Sequence, residues 1–140
     1  MTRWFDLHPV DETFFGEAWH VSTYTARTHS DPDRTWAEIA GPDPLSWVRV
    51  LDCGYLSPEP RGIGARREAS ILKGLLRLRE HFFEWDDSAR RHSFYATAAS
   101  LPLFSAFAED YRVTPTDDGS LFTWTVAFDP APKTRLLLAT

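Results

Sequence analysis

The sequence has 140 residues and a formal net charge of -5 at pH 7, and 43% of its residues are hydrophobic. This length is enough for one domain with its own apolar core, and without an apolar run of about 20 residues no integral membrane segment is expected. The acidic balance argues against nucleic acid as a partner, because binding to phosphates needs a basic face.

The N-terminal stretch, MTRWFDLHPVDETFF, lacks the continuous apolar core of a signal peptide, so a cytoplasmic location is expected. The first strand is predicted from about Ala18 to Thr28, where β-branched and aromatic residues alternate with others. A helix should follow, because Ser30 precedes Pro32 at a helix start and Gly41 follows the last apolar residue. The next fragment, PDPLSWV, has room for one further helical turn.

Six more strands are indicated by alternation, and their connections are short, as in KG, DDSAR and the Asp-Gly turn PTDDG. Connections this short join antiparallel neighbours, because a parallel return needs a crossover of a dozen or more residues. A long sheet twists and curls, so its concave face must be covered. The sequence predicts an α+β fold with a curved, seven-stranded antiparallel sheet, its last six strands at about 48–56, 64–72, 75–86, 91–100, 105–114 and 120–129.

Two glycines one residue apart, Gly62 and Gly64 in RGIGARRE, invite comparison with a phosphate-binding loop. A dinucleotide fingerprint needs a third glycine three residues after the second, and a helix directly behind it. The third place here is Arg67, and the residues that follow are β-branched, aromatic and alternating. We therefore interpret the two glycines as a turn into a strand.

Metal and cofactor chemistry is not indicated. The single cysteine, Cys53, lies in the strand-like stretch VRVLDCGYL and is expected to be a buried thiol. The five histidines, at positions 8, 20, 29, 81 and 92, show no zinc-ligand spacing. The sequence has no Asn and no Gln, so polar recognition inside the fold must use other side chains or the backbone.

Three charged residues share the apolar side of their predicted strands: Arg67, Glu80 and Glu109. Burying a charge is costly unless it is paired, so we expect an Arg-carboxylate network in which one carboxylate can stay protonated. These three are the candidate catalytic residues for general acid-base chemistry. The alternative is that these residues form a structural salt bridge near the open end of the groove on the concave face of the sheet. His81 and Asp110 have the opposite parity and are expected to face solvent.

From about Trp19 to the end, the sequence resembles the START-like or Bet v 1-like (SRPBCC) superfamily, in its bacterial polyketide cyclase/dehydrase and lipid-transport branch. The resemblance depends on the order and spacing of SDPDRTWAEIA, RGIGARRE, LRLREHFFEWDDSARRHSF and FAEDYRVTPTDDGSLFTWTVAFDP. It implies a helix-grip fold, in which a seven-stranded sheet curls around a long C-terminal helix and encloses a deep apolar cavity. Residues 18–140 would form this domain and residues 1–17 an N-terminal extension.

The C-terminal helix of that fold is expected to be truncated here. After Pro130 only APKTRLLLAT remains, whereas a helix of about 20 residues spans about 30 Å. Either the sequence is a fragment, which we favour, or a partner copy or the aromatic N-terminal segment covers the sheet. A monomer or a homodimer fits this pattern.

The resemblance implies that a hydrophobic small molecule, lipid-like or polyketide-like, is the partner, and that the protein is its carrier or sensor. An enzyme of the polyketide cyclase/dehydratase type is one alternative, and a protein-interaction module of co-chaperone-like or antitoxin type is another. Each aromatic residue can also be plain core. The candidate ligand-binding residues are Trp47, Phe82, Phe94, Tyr111, Phe122, Trp124 and Phe128.

Overall fold

A computed structural model describes residues 2–41 and 51–139 of the protein. Strands dominate, and the helices are short. In chain order the elements are β1 (Phe5–Asp6), α1 (Phe14–Glu17), β2 (His20–Thr28), α2 (Pro32–Ala40), β3 (Leu51–Tyr55), β4 (Arg66–Ile71), β5 (Leu76–Asp86), β6 (Arg91–Ala99), β7 (Phe104–Thr116), β8 (Gly119–Pro130) and α3 (Pro132–Ala139).

The strands form one antiparallel sheet in the order β2-β8-β7-β6-β5-β4-β3, and the two-residue β1 pairs with β6. From β3 to β8 each strand pairs with the next along the chain, as the short connections predict. The predicted curved, seven-stranded antiparallel sheet is confirmed. Its inner face, defined here as the face that carries Arg67, Glu80, Tyr111 and Trp124, holds the main aromatic cluster.

The helix α2 covers one end of the inner face. Asp31, not Ser30, is its N-cap: the Asp31 carboxylate accepts a hydrogen bond from the Arg34 backbone N–H at 3.0 Å, and Pro32 is the first helical residue. Trp36 and Ile39 are buried in the aromatic cluster. The second short helix predicted after α2 would fall on residues 42–50, outside the described residues.

The N-terminal segment packs onto the outer face of the sheet. Phe14 of α1 is buried there against three alanines, Ala106, Ala108 and Ala127. Alanine side chains are small, so a helix can approach these strands closely. Ala106 and Ala108 are two residues apart on β7 and therefore lie on the same face of the sheet. Residues 5–17 are thus integrated with the sheet rather than projecting from it.

The second half of β5 changes its alternation at a bulge. The register shifts between Phe82 and Glu84, so the inward and outward sides exchange beyond that point. Trp85 therefore turns into the core, with its ring 4.9 Å from Phe82, whereas Phe83 stacks on Tyr95 at 5.9 Å. This exchange explains why the inward rings of Phe82 and Trp85 are three residues apart in the sequence rather than two or four.

The glycines of RGIGARRE form a turn. The Ala65 backbone N–H donates to the Gly62 carbonyl at 2.9 Å, and Gly64 has a φ of 92°, which residues with a Cβ rarely adopt. A strand, β4, follows this turn directly, so the helix that a dinucleotide fingerprint requires does not follow it.

Within residues 2–41 and 51–139, no helix has the length and apolar character needed to cross a bilayer.

Candidate functional site

A buried ion pair lies at the centre of the inner face. Arg67 of β4 and Glu80 of β5 are direct cross-strand partners, and the Arg67 Nε donates to the Glu80 Oε1 at 2.7 Å. Both side chains are only 1% exposed. The Arg67 guanidinium lies 4.7 Å from the ring centroid of Phe94 and 5.1 Å from that of Phe82, so the cation is held between aromatic faces.

Glu109 is the second carboxyl group of this face. It lies on β7 opposite Phe94 of β6, and its Oε1 accepts a hydrogen bond from the Trp124 indole nitrogen. Burial raises the pKa of Glu109 to about 8; the negative charge of Glu80 adds to the rise, and the hydrogen bonds from Trp124 and Tyr111 oppose it. At neutral pH this carboxyl group is therefore mainly protonated.

Arg67, Glu80 and Glu109 together hold one ion pair and one carboxyl proton. Burial also raises the pKa of Glu80, but the Coulomb attraction of Arg67 and the hydrogen bond from it act in the opposite direction. Desolvation is the largest single influence on the pKa of Arg67 and lowers it, but the combined attraction of Glu80, Tyr111, Cys53 and Tyr55 leaves that pKa well above its usual value. Glu80 contacts the Arg67 cation directly, so Arg67 and Glu80 stay ionised as a pair. The carboxyl group that holds a proton is therefore that of Glu109.

All three groups line one cavity of about 200 Å³. Tyr111 and Trp124 line it too, and most of its remaining wall is aliphatic. Burial raises the pKa of the Cys53 thiol in this wall to about 12, so Cys53 is not a ready nucleophile. The full lining is Leu51, Cys53, Arg67, Ala69, Ile71, Leu78, Glu80, Phe107, Glu109, Tyr111, Trp124 and Val126.

Two further depressions adjoin this cavity along β8. The first, of about 440 Å³, shares Trp124 and Val126 with it and extends over Tyr24 and Ala26 of β2. The second, of about 340 Å³, shares Phe122 and Ala26 with the first depression and reaches α2. The shared wall residues show that the three spaces lie next to one another along β8, and the wall of the last one also includes the polar residues Arg27, Thr35 and Glu38.

The predicted aromatic ligand-binding residues take different positions relative to the cavity. Tyr111 and Trp124 line the cavity, and Phe122 lines the two adjoining depressions. Phe82 and Phe94 are fully buried and pack beneath, around Arg67. Phe128 packs against the Phe104 ring, 5.2 Å between centroids. Trp47 lies outside the described residues.

One buried histidine, His92 of β6, was not singled out by the sequence. Its ring lies about 5 Å from the ring centroids of Trp36, Phe82, Trp85 and Tyr111, and neither ring nitrogen has a hydrogen-bond partner among the described residues. Burial lowers the pKa of His92 well below its usual value, and the charge of Arg67 lowers it further, so the ring is neutral. In the sequence His92 lies two residues before Phe94 on the same strand, so both share one face. This spacing could have indicated that His92 points inward.

The prediction that Asp110 faces solvent was wrong. Asp110 does lie on the outer face, but it is buried there because Ser93 Oγ donates to its Oδ1 at 2.6 Å and Arg91 Nε donates to the same atom at 3.1 Å. His81, on the same side of the sheet, is half-buried beside Tyr95.

Within the described parts of the chain, no group of three His, Cys, Asp or Glu side chains is placed to hold a metal ion.

Sequence comparison gives matches to a family and to mycobacterial proteins. A family model described as polyketide cyclase / dehydrase and lipid transport matches residues 20–140. Uncharacterized proteins of Mycobacterium tuberculosis and Mycobacterium bovis are 35% identical over 100 residues, which make up 69% of this chain and 58% of each relative. The chain thus spans less than two thirds of the length of these curated relatives.

Solved structures share the fold at low sequence identity. Norcoclaurine synthase from Thalictrum flavum has a TM-score of 0.65 at 12% identity, over 94% of this chain and 82% of that one. A protein from Thermus thermophilus has a TM-score of 0.68 at 16% identity, over 86% and 82%. For ginseng major latex-like protein 151 from Panax ginseng the values are 0.62 and 16%, over 86% and 89%. These similarities confirm the predicted helix-grip fold, and the match over residues 20–140 shows that the chain belongs to the polyketide cyclase/dehydrase and lipid transport family.

Proposed function

We propose that this protein binds a lipid-like or polyketide-like small molecule on the inner face of its sheet and acts as its carrier or sensor. The observation that carries the proposal is the cavity of about 200 Å³, whose wall is mainly aliphatic and aromatic. Small-molecule sites are typically apolar with a few placed polar groups. Membership of a family described as polyketide cyclase / dehydrase and lipid transport supports hydrophobic ligand binding in general.

The packing around the cavity favours a site over a defect of the core. Protein interiors are close-packed, and their few voids are small. Here the large rings Phe82 and Phe94 are fully buried in contact with Arg67, and Phe107 packs against Phe104 at 5.1 Å, so none of them fills the space. The adjoining depressions extend that space along β8, which suits an elongated or polycyclic guest.

The proposal is tested by native mass spectrometry of the purified protein, followed by extraction of any small molecule that co-purifies. A discrete apolar compound at a fixed stoichiometry supports the proposal. Cys53 offers an independent measurement, because the single thiol lies in the cavity wall and its alkylation should slow when the cavity is occupied. A protein that stays empty across lipid and polyketide panels, with an unchanged alkylation rate, contradicts the proposal.

A second candidate function is catalysis of a cyclase or dehydratase type. The observation that favours it is the protonated carboxyl group of Glu109 in the cavity wall, with a pKa of about 8. A carboxyl group with a pKa near the working pH is suited to give a proton to a departing hydroxyl group. Under this hypothesis Glu109→Gln abolishes turnover of a bound polyketide while its dissociation constant stays within about threefold; equal turnover in the variant rejects it.

Two finer expectations stay predictions. A cytoplasmic location and a monomeric or homodimeric state both fit a small-molecule carrier, and both follow from the sequence alone. Analytical ultracentrifugation of the purified protein measures the second directly. An assembly larger than a dimer at micromolar concentration contradicts it.

A further inference from the structure

The polar groups that the cavity leaves available are hydrogen-bond donors. Arg67 uses its Nε on Glu80, but its buried Nη1 has no hydrogen-bond partner among the described residues. Glu109 accepts from Trp124 at its Oε1 and has a further hydrogen bond with Tyr111, so its proton belongs on the carboxyl oxygen that Trp124 does not use. Both side chains line the cavity. A buried donor without an acceptor is destabilising, and a guest with an acceptor removes that penalty.

The charges of the site are already balanced without a guest. Arg67 is neutralised by Glu80 at 2.7 Å, and the carboxyl group of Glu109 is neutral when it holds its proton. A guest that carries a carboxylate would add a net negative charge in a wall where Arg67 and Glu80 are only 1% exposed, and burying an uncompensated charge is costly. A neutral guest adds no such charge.

We propose that the cavity selects apolar ligands with a neutral oxygen acceptor, such as the carbonyl of a ketone or ester, over carboxylates and hydrocarbons of the same shape. The carbonyl oxygen accepts from the Glu109 hydroxyl, while the apolar body lies along β8. Arg67 Nη1 is covered in the empty protein, so the cavity wall must shift before the same oxygen accepts from it as well. This inference rests on the proposed function, and it names the ligand class that the same site takes.

The test uses three shape-matched probes that differ only in the terminal group: 2-acetylnaphthalene, 2-naphthoate and 2-isopropylnaphthalene. Their dissociation constants are measured at pH 7 by quenching of tryptophan fluorescence and by calorimetry. We expect the ketone to bind about tenfold more tightly than the hydrocarbon, because hydrogen bonds from charged donors contribute about 1.5–3 kcal/mol and 1.4 kcal/mol is tenfold. We expect the carboxylate to bind more weakly than the ketone by at least about tenfold.

The outcomes separate this inference from the function beneath it. Equal affinity for the ketone and the hydrocarbon, or tighter binding of the carboxylate, overturns the selectivity and leaves hydrophobic binding intact. Failure of all three probes overturns the selectivity as well, and an empty result in the wider ligand panels then rejects the proposed function too.

Variants assign the two donors. Arg67→Met with Glu80→Leu removes one donor together with its counter-charge, so the fold keeps no orphaned charge. Glu109→Leu removes the other donor. Each variant should lose at least about threefold in affinity for the ketone relative to the hydrocarbon. An unchanged ketone preference in both variants contradicts the assignment.

The pH dependence gives an independent readout. Glu109 faces Cys53, Arg67, Glu80 and Tyr111, and Tyr111 contacts the neutral His92; burial raises the pKa of Cys53 to about 12 and that of Tyr111 well above its usual value. Glu109, with a pKa of about 8, therefore titrates between pH 7 and 9, whereas the pKa values of Cys53 and Tyr111 lie above this range. The ketone should bind about tenfold more weakly at pH 9 than at pH 7, since the deprotonated carboxylate cannot donate. Glu109→Gln keeps an N–H donor at every pH and should remove this dependence; an equal dependence in that variant contradicts the role of Glu109.

Discussion

Two neighbouring acidic residues of β7, Glu109 and Asp110, lie on opposite faces of the sheet and illustrate how the two faces differ. Asp110, on the outer face, has Ser93 at 2.6 Å, Arg91 at 3.1 Å and Arg112 at 3.8 Å. The Asp110 side chain is only 10% exposed, whereas that of Arg91 is 31% exposed, so Arg91 reaches water. The outer carboxylate thus accepts two hydrogen bonds at one oxygen and has a second arginine within ion-pair distance of the other.

The inner face leaves polar groups without such partners. Arg67 pairs with Glu80, its Nη1 has no hydrogen-bond partner among the described residues, and Glu109 retains a proton. Similar residue types therefore act in two ways on the two faces. The outer cluster fastens two strands to each other, whereas the inner cluster keeps polar capacity beside an unfilled space, which is the property expected of a binding site.

The largest effect is expected from breaking the inner ion pair on one side only. Glu80→Leu leaves the Arg67 cation buried without a counter-charge, and removing one partner of a buried pair typically costs about 3–5 kcal/mol. We therefore expect a loss of that size in the free energy of unfolding, measured by urea denaturation. The matched control is Arg67→Met with Glu80→Leu, which should recover most of the loss. If the single and double variants are equally unstable, the pair is not the source of the effect.

A smaller effect is expected from the proton on Glu109. Its pKa is about 8 in the folded protein and near 4.5 when unfolded, so between these values the folded state binds the extra proton. This contribution to stability is full below pH 4.5 and is lost as the pH rises through about 8. The difference in unfolding free energy between the native protein and Glu109→Gln should change by at most about 1.4 kcal/mol per pH unit, in favour of the variant as pH rises. A difference that stays flat from pH 5 to 8 contradicts the protonated state.

Alternation along the strands was enough to predict the inward charges. Arg67, Glu80 and Glu109 each keep the parity of apolar neighbours such as Ala69 and Phe107, and period two places such residues on one face. Short connections were enough to predict the antiparallel order. These features are local, so a single sequence contains them.

Features that depend on distant partners could not be predicted. The bulge of β5 reverses parity beyond Phe82, and its position is set by the pairing with β6. Burial of Asp110 needs Ser93 and Arg91 of β6, and docking of α1 needs the alanines of β7 and β8. Each depends on strand pairing across the sheet, which periodicity within one segment does not specify.

The smallest effect is expected on the outer face, where Asp110→Ala removes the acceptor of Ser93 and Arg91. Arg91 can turn to water because it is 31% exposed, so the main loss is the buried Ser93 hydrogen bond. Leaving a buried hydroxyl without a partner costs about 1–3 kcal/mol, and the exposed ion pair adds less than about 1 kcal/mol. We expect a total near the lower end of that range, with ketone binding on the inner face unchanged. Asp110→Asn, which keeps an acceptor for Ser93, should lose less than Asp110→Ala. If Asp110→Ala costs as much as Glu80→Leu, the two faces do not differ as described, because the outer carboxylate would then be as dependent on its partners as the inner one.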